Sequence, residues 1–112
     1  MVEIKDSKLL IQGISGKIYQ FILYPLSSPV ELSNYSAIYI YFHMNNNNIE
    51  LIYGGQTLDL PERIKEHNCV DKHIINDSNF LAVSLCVPEA LDETEIDILN
   101  GNKFKYNVQH NS

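Results

Sequence analysis

Apolar and polar positions change their period several times along the chain, and those changes mark its elements. Lys8 to Ile14 is mainly apolar, Gly16–Lys17 predicts a turn, and Ile18 to Leu23 alternates in part and carries aromatics. Together they predict an N-terminal β-hairpin. Pro25 to Asn34, rich in Ser and Pro, reads as a connector. Ala37 to His43 is dominated by β-branched and aromatic residues, which favours a strand. Ile38, Ile40 and Phe42 then share one face, and Tyr39 and Tyr41 the other. The Asn run from Asn45 to Asn48 predicts a hairpin loop, because Asn tolerates left-handed backbone. Ile49 to Tyr53 is the expected return strand, ended by Gly54–Gly55.

Asp59-Leu60-Pro61-Glu62 carries the marks of a helix start. Asp59 can cap free N–H groups, Glu62 stands in the capping-box position, and Pro61 falls in the first turn, where its missing donor costs little. This helix is expected to run to about Asn68, with polar, loop-like chain from His67 to Asn79. Phe80 to Val87 is a continuous apolar run suited to a buried strand. Pro88 then opens a second helix that Gly101 stops, and Lys103 to Val108 is expected to be short and extended.

Length and composition narrow the picture. A chain of 112 residues is one domain's worth, with 45% hydrophobic and 20% charged residues. Formal net charge is −6. That argues against a broad nucleic-acid surface, because phosphate contacts need clustered Lys and Arg. Any nucleic-acid site must be local or supplied by a partner. Cys69 and Cys86 have neither C-x-x-C spacing nor a Cys/His metal pattern, so they read as reduced thiols, one of them in an apolar strand. Met1 to Lys8 is charged and no apolar run approaches ~18 residues. Neither a signal peptide nor a membrane span is expected, and the expected location is cytoplasmic (intracellular).

Three sets of residues could carry chemistry. Arg63 and His67 lie four apart on one helix face. They read either as a solvated surface pair or as a cation and an imidazole able to hold a phosphate and handle a proton. Leu91, Thr94 and Ile98 mark an inward stripe on the second helix, and Glu95 falls within it. Either its carboxylate needs a cation or metal, or it sits at the stripe's edge and reaches water. Glu89, Asp92, Glu93 and Asp97 are explained as solvated charges complementing the helix dipole. Tyr39 and Tyr53, on strands that a hairpin would pair, read on their own as half-buried packing residues. His43, His73 and His110 lack ligand spacing and read as surface histidines.

At this point the pieces resemble a family. Tyr53-Gly54-Gly55-Gln56-Thr57-Leu58-Asp59-Leu60-Pro61-Glu62-Arg63-Ile64-Lys65-Glu66-His67 is similar to the second half of the GIY-YIG nuclease signature: Tyr-x-Gly, a polar pair, Asn/Asp-Leu, Arg, then His or Tyr four residues on. Ala37-Ile38-Tyr39 resembles its first half. Glu95 with Ile98-Leu99, and later Tyr106-Asn107, resembles the family's Glu helix and terminal Asn. The likeness covers about Ser36 to Asn107.

The resemblance implies an α/β (α+β) fold, a small antiparallel central sheet flanked by helices. Residues 1–34 would be an N-terminal hairpin extension packed on the same domain, and 35–112 the catalytic part. It implies a metal-dependent endonuclease cleaving DNA phosphodiester bonds, with RNA as a further possible substrate. Glu95 would hold one divalent ion, Mg²⁺ or Mn²⁺. Arg63 would stabilise charge on the scissile phosphate. Tyr53 would activate the attacking water, Tyr39 would orient that water or a phosphate oxygen, and His67 would assist proton transfer. Asn107 would brace the site; Gln56, Lys65 and Asn107 are the expected nucleic-acid contacts. A homodimer or protein partner would supply specificity.

The chain departs from the pattern in places. Ala37 replaces the first Gly, Gly54 the usual β-branched residue, and Gln56 a frequent Lys; Phe104-Lys105-Tyr106 stands where a Pro usually precedes the terminal Asn. With the acidic charge, these departures leave a rival reading: a catalytically weak or inactive module of the same fold that binds a protein partner or nucleic acid. A positive strip beside Arg63 drawing on Lys65, Lys72 and Lys103 would favour DNA. A third reading, accidental similarity, predicts that Tyr39, Tyr53, Arg63 and Glu95 do not converge.

Overall fold

A computed structural model describes residues 1–27 and 32–106. Six strands form one antiparallel sheet: β1 (Val2–Lys5), β2 (Lys8–Gln12), β3 (Ile18–Pro25), β4 (Ala37–Asn45), β5 (Asn48–Thr57) and β6 (Phe80–Leu85), in the order β1-β2-β3-β6-β4-β5. The hairpin expected from Lys8 to Leu23 is β2–β3. β1, in a segment read only as charged, was not expected. Its turn uses Asp6 and Ser7 at φ 53° and 64°, a two-residue primed turn without the glycine that usually announces one. The Asn loop is as expected, with Asn46 at φ 58° between paired Asn45 and Asn48.

β6 is the apolar run, and it lies centrally between β3 and β4. The N-terminal strands therefore continue the sheet rather than sitting beside it. β5 does not stop at Gly54–Gly55 but runs on to Thr57 along the sheet edge. A bulge opposite Tyr41 and Phe42 places both Ile52 and Tyr53 against the apolar cluster that contains Tyr39 and Tyr41.

The predicted alternation in β4 separates two cores. Ile38, Ile40 and Phe42 pack with Leu9, Ile11 and Phe21 and with Leu91, Ile98 and Leu99 of helix α3 (Leu91–Gly101). Tyr39 and Tyr41 pack on the other face with Leu60 and Ile64 of α1 (Leu60–Val70), and with Ile74 of α2 (Lys72–Asn76). α2 occupies a segment expected to be loop, because two isoleucines at Ile74 and Ile75 provide an inward face within a polar stretch. A 3₁₀ turn at Pro88–Ala90 precedes α3. Lys103 to Tyr106 is irregular rather than extended, tied to β5 by Lys105 N–H to Leu51 O and Tyr106 N–H to Ile52 O. Cys86 lies just beyond β6 and Cys69 is exposed; both are free thiols. His43 is half-buried in β4, and the exposed His73 packs edge-on against Tyr106. Asn107 and His110 lie outside the described residues.

The sheet curls around α3. Asp97 of α3 accepts from Ser15 N–H (2.8 Å), Ser15 Oγ (2.7 Å) and Tyr19 Oη (2.7 Å), which fastens the β2–β3 turn to the helix. A methyl at Gly101 would overlap the backbone of Gly13 and Ile14. The helix and the turn thus touch backbone to backbone. Gly101→Ala should destabilise the protein by about 1–3 kcal/mol, the usual cost of overpacking. Asn100→Ala, at the exposed neighbouring position, should change stability by no more than about 0.5 kcal/mol. Urea unfolding midpoints check both.

Candidate active site

α1 begins as its sequence predicts. Asp59 caps it by accepting from Glu62 N–H at 3.4 Å, and Pro61 stands in the first turn. That start sets the helix's rotation, so Arg63 and His67 face the sheet. His67 is buried and Arg63 half-buried, so the solvated-pair reading does not hold. The Tyr39 hydroxyl meets both: Arg63 Nε donates to it at 3.0 Å, and it lies 2.7 Å from His67 Nε2. Tyr53 packs against the same imidazole, with ring centres 5.2 Å apart, and lies 6.3 Å from the Tyr39 ring. Tyr41 closes the cluster edge-on to His67 at 5.5 Å.

Gly55 makes the hydroxyl's position possible. A Cβ there would stand 2.5 Å from Tyr39 Oη and 2.7 Å from Cζ. The second Gly of the Tyr-x-Gly element is therefore required by the phenol of the neighbouring strand.

Electrostatics hold the cluster in one protonation state. Burial, then the neighbouring Tyr53 phenol, push the Tyr39 hydroxyl well above its ordinary range, against the pull of Arg63. Burial weighs against the charge of Arg63, but its hydrogen bonds to Tyr39 and Tyr53 more than offset this, so it stays protonated. Burial and the adjacent Arg63 charge lower the pKa of His67, against the opposing influence of Asp71 and Glu66. The resting set is neutral phenol, neutral imidazole and guanidinium.

His67 Nδ1 lies 3.0 Å from Asp71 Oδ2, although its N–H points off the line between them. Arg63 Nη1 is 3.0 Å from the more exposed Glu66 carboxylate.

Glu95 does not join this group. It stands on α3, on the opposite face of the sheet, beside Ile38, Ile40 and Gly54. Its Oε1 accepts from Gln56 Nε2 at 3.1 Å, and the same amide donates to Asp92 Oδ1 at 2.6 Å. The two halves lie on opposite faces of the sheet, across β4 and the edge strand β5, which carries two successive glycines. Glu95 is half-buried. Its carboxylate is met by an amide, as an inward carboxylate requires. Gln56, expected to contact nucleic acid, is thus engaged by carboxylates. Lys65 and Lys72 are exposed on α1 and α2, whereas Lys103 lines the far side with Val2 and Leu51, so the three do not form one strip beside Arg63.

Sequence reasoning missed Tyr41, Asp71 and Asp92. Each was findable from spacing: Tyr41 shares the face of Tyr39, Asp71 is one helical turn beyond His67, and Asp92 is one turn before Glu95.

The model of the GIY-YIG catalytic domain matches residues 35–107. The chain belongs to the GIY-YIG family. The match spans the resemblance drawn from Ser36 to Asn107, and the curled antiparallel sheet with its packed helices agrees with the α+β GIY-YIG fold. Comparisons with curated proteins and with solved structures found no match. GIY-YIG nucleases act on DNA and generally depend on a divalent metal. Among the described residues, no three or more His, Cys, Asp or Glu side chains gather as a metal cluster, and no helix is long and apolar enough to cross a membrane.

The neutral, buried imidazole has a consequence for stability. Its folded pKa lies below the ordinary 6.5, so the unfolded chain binds the proton more readily. The stability is full above 6.5 and falls as pH drops through it. Tyr39, Tyr41, Tyr53, Arg63, Glu66 and Asp71 are the groups facing it. Urea unfolding should show lower stability at about pH 5.5 than at about pH 7.5. His67→Gln, which cannot titrate, should lose much of that difference.

Proposed function

We propose that this GIY-YIG protein is a metal-dependent endonuclease-like hydrolase that cleaves DNA phosphodiester bonds. The observation that carries this reading is the Tyr39 hydroxyl held between Arg63 Nε and His67 Nε2, with Tyr53 packed at the half-exposed rim. A cation fixed by a buried phenol is a preorganised anion partner. Arg63 takes a phosphate oxygen, exchanging its surface contact with Glu66 for the substrate. Tyr53 relays the proton that the attacking water releases: its oxygen accepts that proton as its own hydroxyl proton passes to solvent. Tyr39 is fully enclosed, so it acts by holding Arg63 and His67 rather than by touching the water.

The donors around Glu95 fit a hard divalent ion. Glu95 and Asp92 are carboxylates one helical turn apart, and the Gln56 amide N–H now lies between them where a cation's charge would be favourable. Glu95 would hold Mg²⁺ or Mn²⁺, with Asp92 nearby. Such an ion, when bound, would supply stabilisation of the leaving oxygen. With so few basic groups beside Arg63, sequence readout falls to a second copy or a protein partner.

Two observations favour the rival, a binding module that no longer cuts: Glu95 is tied to Gln56 on the face of the sheet opposite Arg63, and Lys65, Lys72 and Lys103 form no single strip beside Arg63. A cleavage assay with Mg²⁺ or Mn²⁺ on single-stranded, duplex and branched DNA decides between them. The nuclease reading expects cleavage that stops with a chelator and falls by ~10² or more in both Arg63→Ala and Glu95→Ala. Intact DNA in every case, with binding retained, supports the module instead.

A further inference from the structure

The geometry points to Asp71 as a positioning residue that aims Arg63 through His67 and Tyr39. The inference rests on the reading of Arg63 as the phosphate partner. Four groups form a line: Asp71 Oδ2, His67 Nδ1 and Nε2, Tyr39 Oη, Arg63 Nε. Their separations are 3.0, 2.7 and 3.0 Å.

The line has a direction, and the direction has to be chosen. Arg63 Nε–H can only donate, so Tyr39 Oη accepts there. If His67 carries its proton on Nδ1, then Nε2 presents a lone pair. The Tyr39 hydroxyl donates to it, and every polar group from Nε2 to Arg63 Nε is used, while Nδ1–H faces Asp71 off the line of a hydrogen bond. If the proton is on Nε2 instead, Tyr39 is offered two donors and its own proton is left in an apolar interior. Leaving a buried donor unmade is unfavourable. The hydroxyl then rotates or the guanidinium moves off. The tautomer of one imidazole therefore decides whether the guanidinium is fixed.

Asp71 biases the tautomer by its charge, its Oδ2 lying 3.0 Å from Nδ1 though off the N–H direction. Among the described residues it is the one carboxylate within ion-pair distance of Nδ1. Its placement runs against two local preferences. It closes α1, where a negative charge opposes the helix dipole. It also stands at the N-cap of α2, where Asp is favoured as a side-chain cap, yet it makes no side-chain capping bond. Its carboxylate is turned back along α1 to His67 instead. His67 is 1% exposed and Asp71 34%, so the carboxylate carries the interior line out to water.

The test reads the tautomer directly. In the full chain, two-dimensional ¹⁵N–¹H NMR of the His67 ring near neutral pH should show the Nδ1–H form in the wild type. Asp71→Ala should shift the ring to a mixture or to the Nε2–H form, while Asp71→Asn, which keeps an acceptor oxygen, should restore Nδ1–H. In DNA cleavage, Asp71→Ala should lower kcat about tenfold with KM little changed, and Asp71→Asn should recover most of it. A wild-type ring in the Nε2–H form overturns the inference, and so does a tautomer unaltered in Asp71→Ala. The wild-type spectrum suffices should Asp71→Ala fail to fold. If the wild type cuts no DNA but the tautomer follows Asp71 as described, the nuclease reading fails and the orienting line stands.

Discussion

The candidate site depends on one oxygen. The Tyr39 hydroxyl lies in the apolar layer between the sheet and α1, where Arg63 and His67 meet it, whereas the buried Tyr41 hydroxyl of the same layer has no hydrogen-bond partner among the described residues. A buried phenol without partners would cost free energy on the order of 1–3 kcal/mol. With them, it joins a strand to a helix at a single point. Several other features follow from that constraint. Gly55 lacks a side chain because the phenol ends against it. α1 must start at Asp59 and not a residue later, since a shift would rotate Arg63 and His67 away. The bulge in β5 sends Tyr53 to the same layer.

The sheet divides labour between its faces. The aromatic and basic groups gather under α1, whereas the carboxylates gather on α3. β4 and the edge strand β5 lie between them, and at its two glycines β5 carries no side chain. A phosphodiester laid across that edge would meet a guanidinium from one side and an acidic pair from the other. In the structure Gln56 occupies the acidic side.

Much of this was legible in the chain. The alternation of Ala37 to His43 separated the two faces correctly, and Asp59 with Pro61 located the helix that carries Arg63 and His67. These signals are local: period, cap and turn residues act over a few positions. What was not legible depends on pairing at a distance. β1 turns on Asp6 and Ser7, residues that rarely adopt positive φ unaided. The continuation of β5 through Gly54 and Gly55 reads as a stop until the phenol opposite is known. Glu95 was expected among the other site residues, but its strand and helix place it beyond β5, a matter of which face each element covers. Asn107 lies outside the described residues.

The β3–β6 ladder bears on how this chain can be divided. The shared family unit begins near residue 35, yet a cut there would pass through a hydrogen-bonded sheet. It would also strip Leu9, Ile11 and Phe21 from one wall of the groove that holds α3. The helix bearing Glu95 would keep its packing on β4 and β5 but lose its contact with β2 and the bonds of Asp97 to Ser15 and Tyr19. The sheet and the core under α3 thus run unbroken across the boundary near residue 35, and the family unit does not coincide with a break in packing.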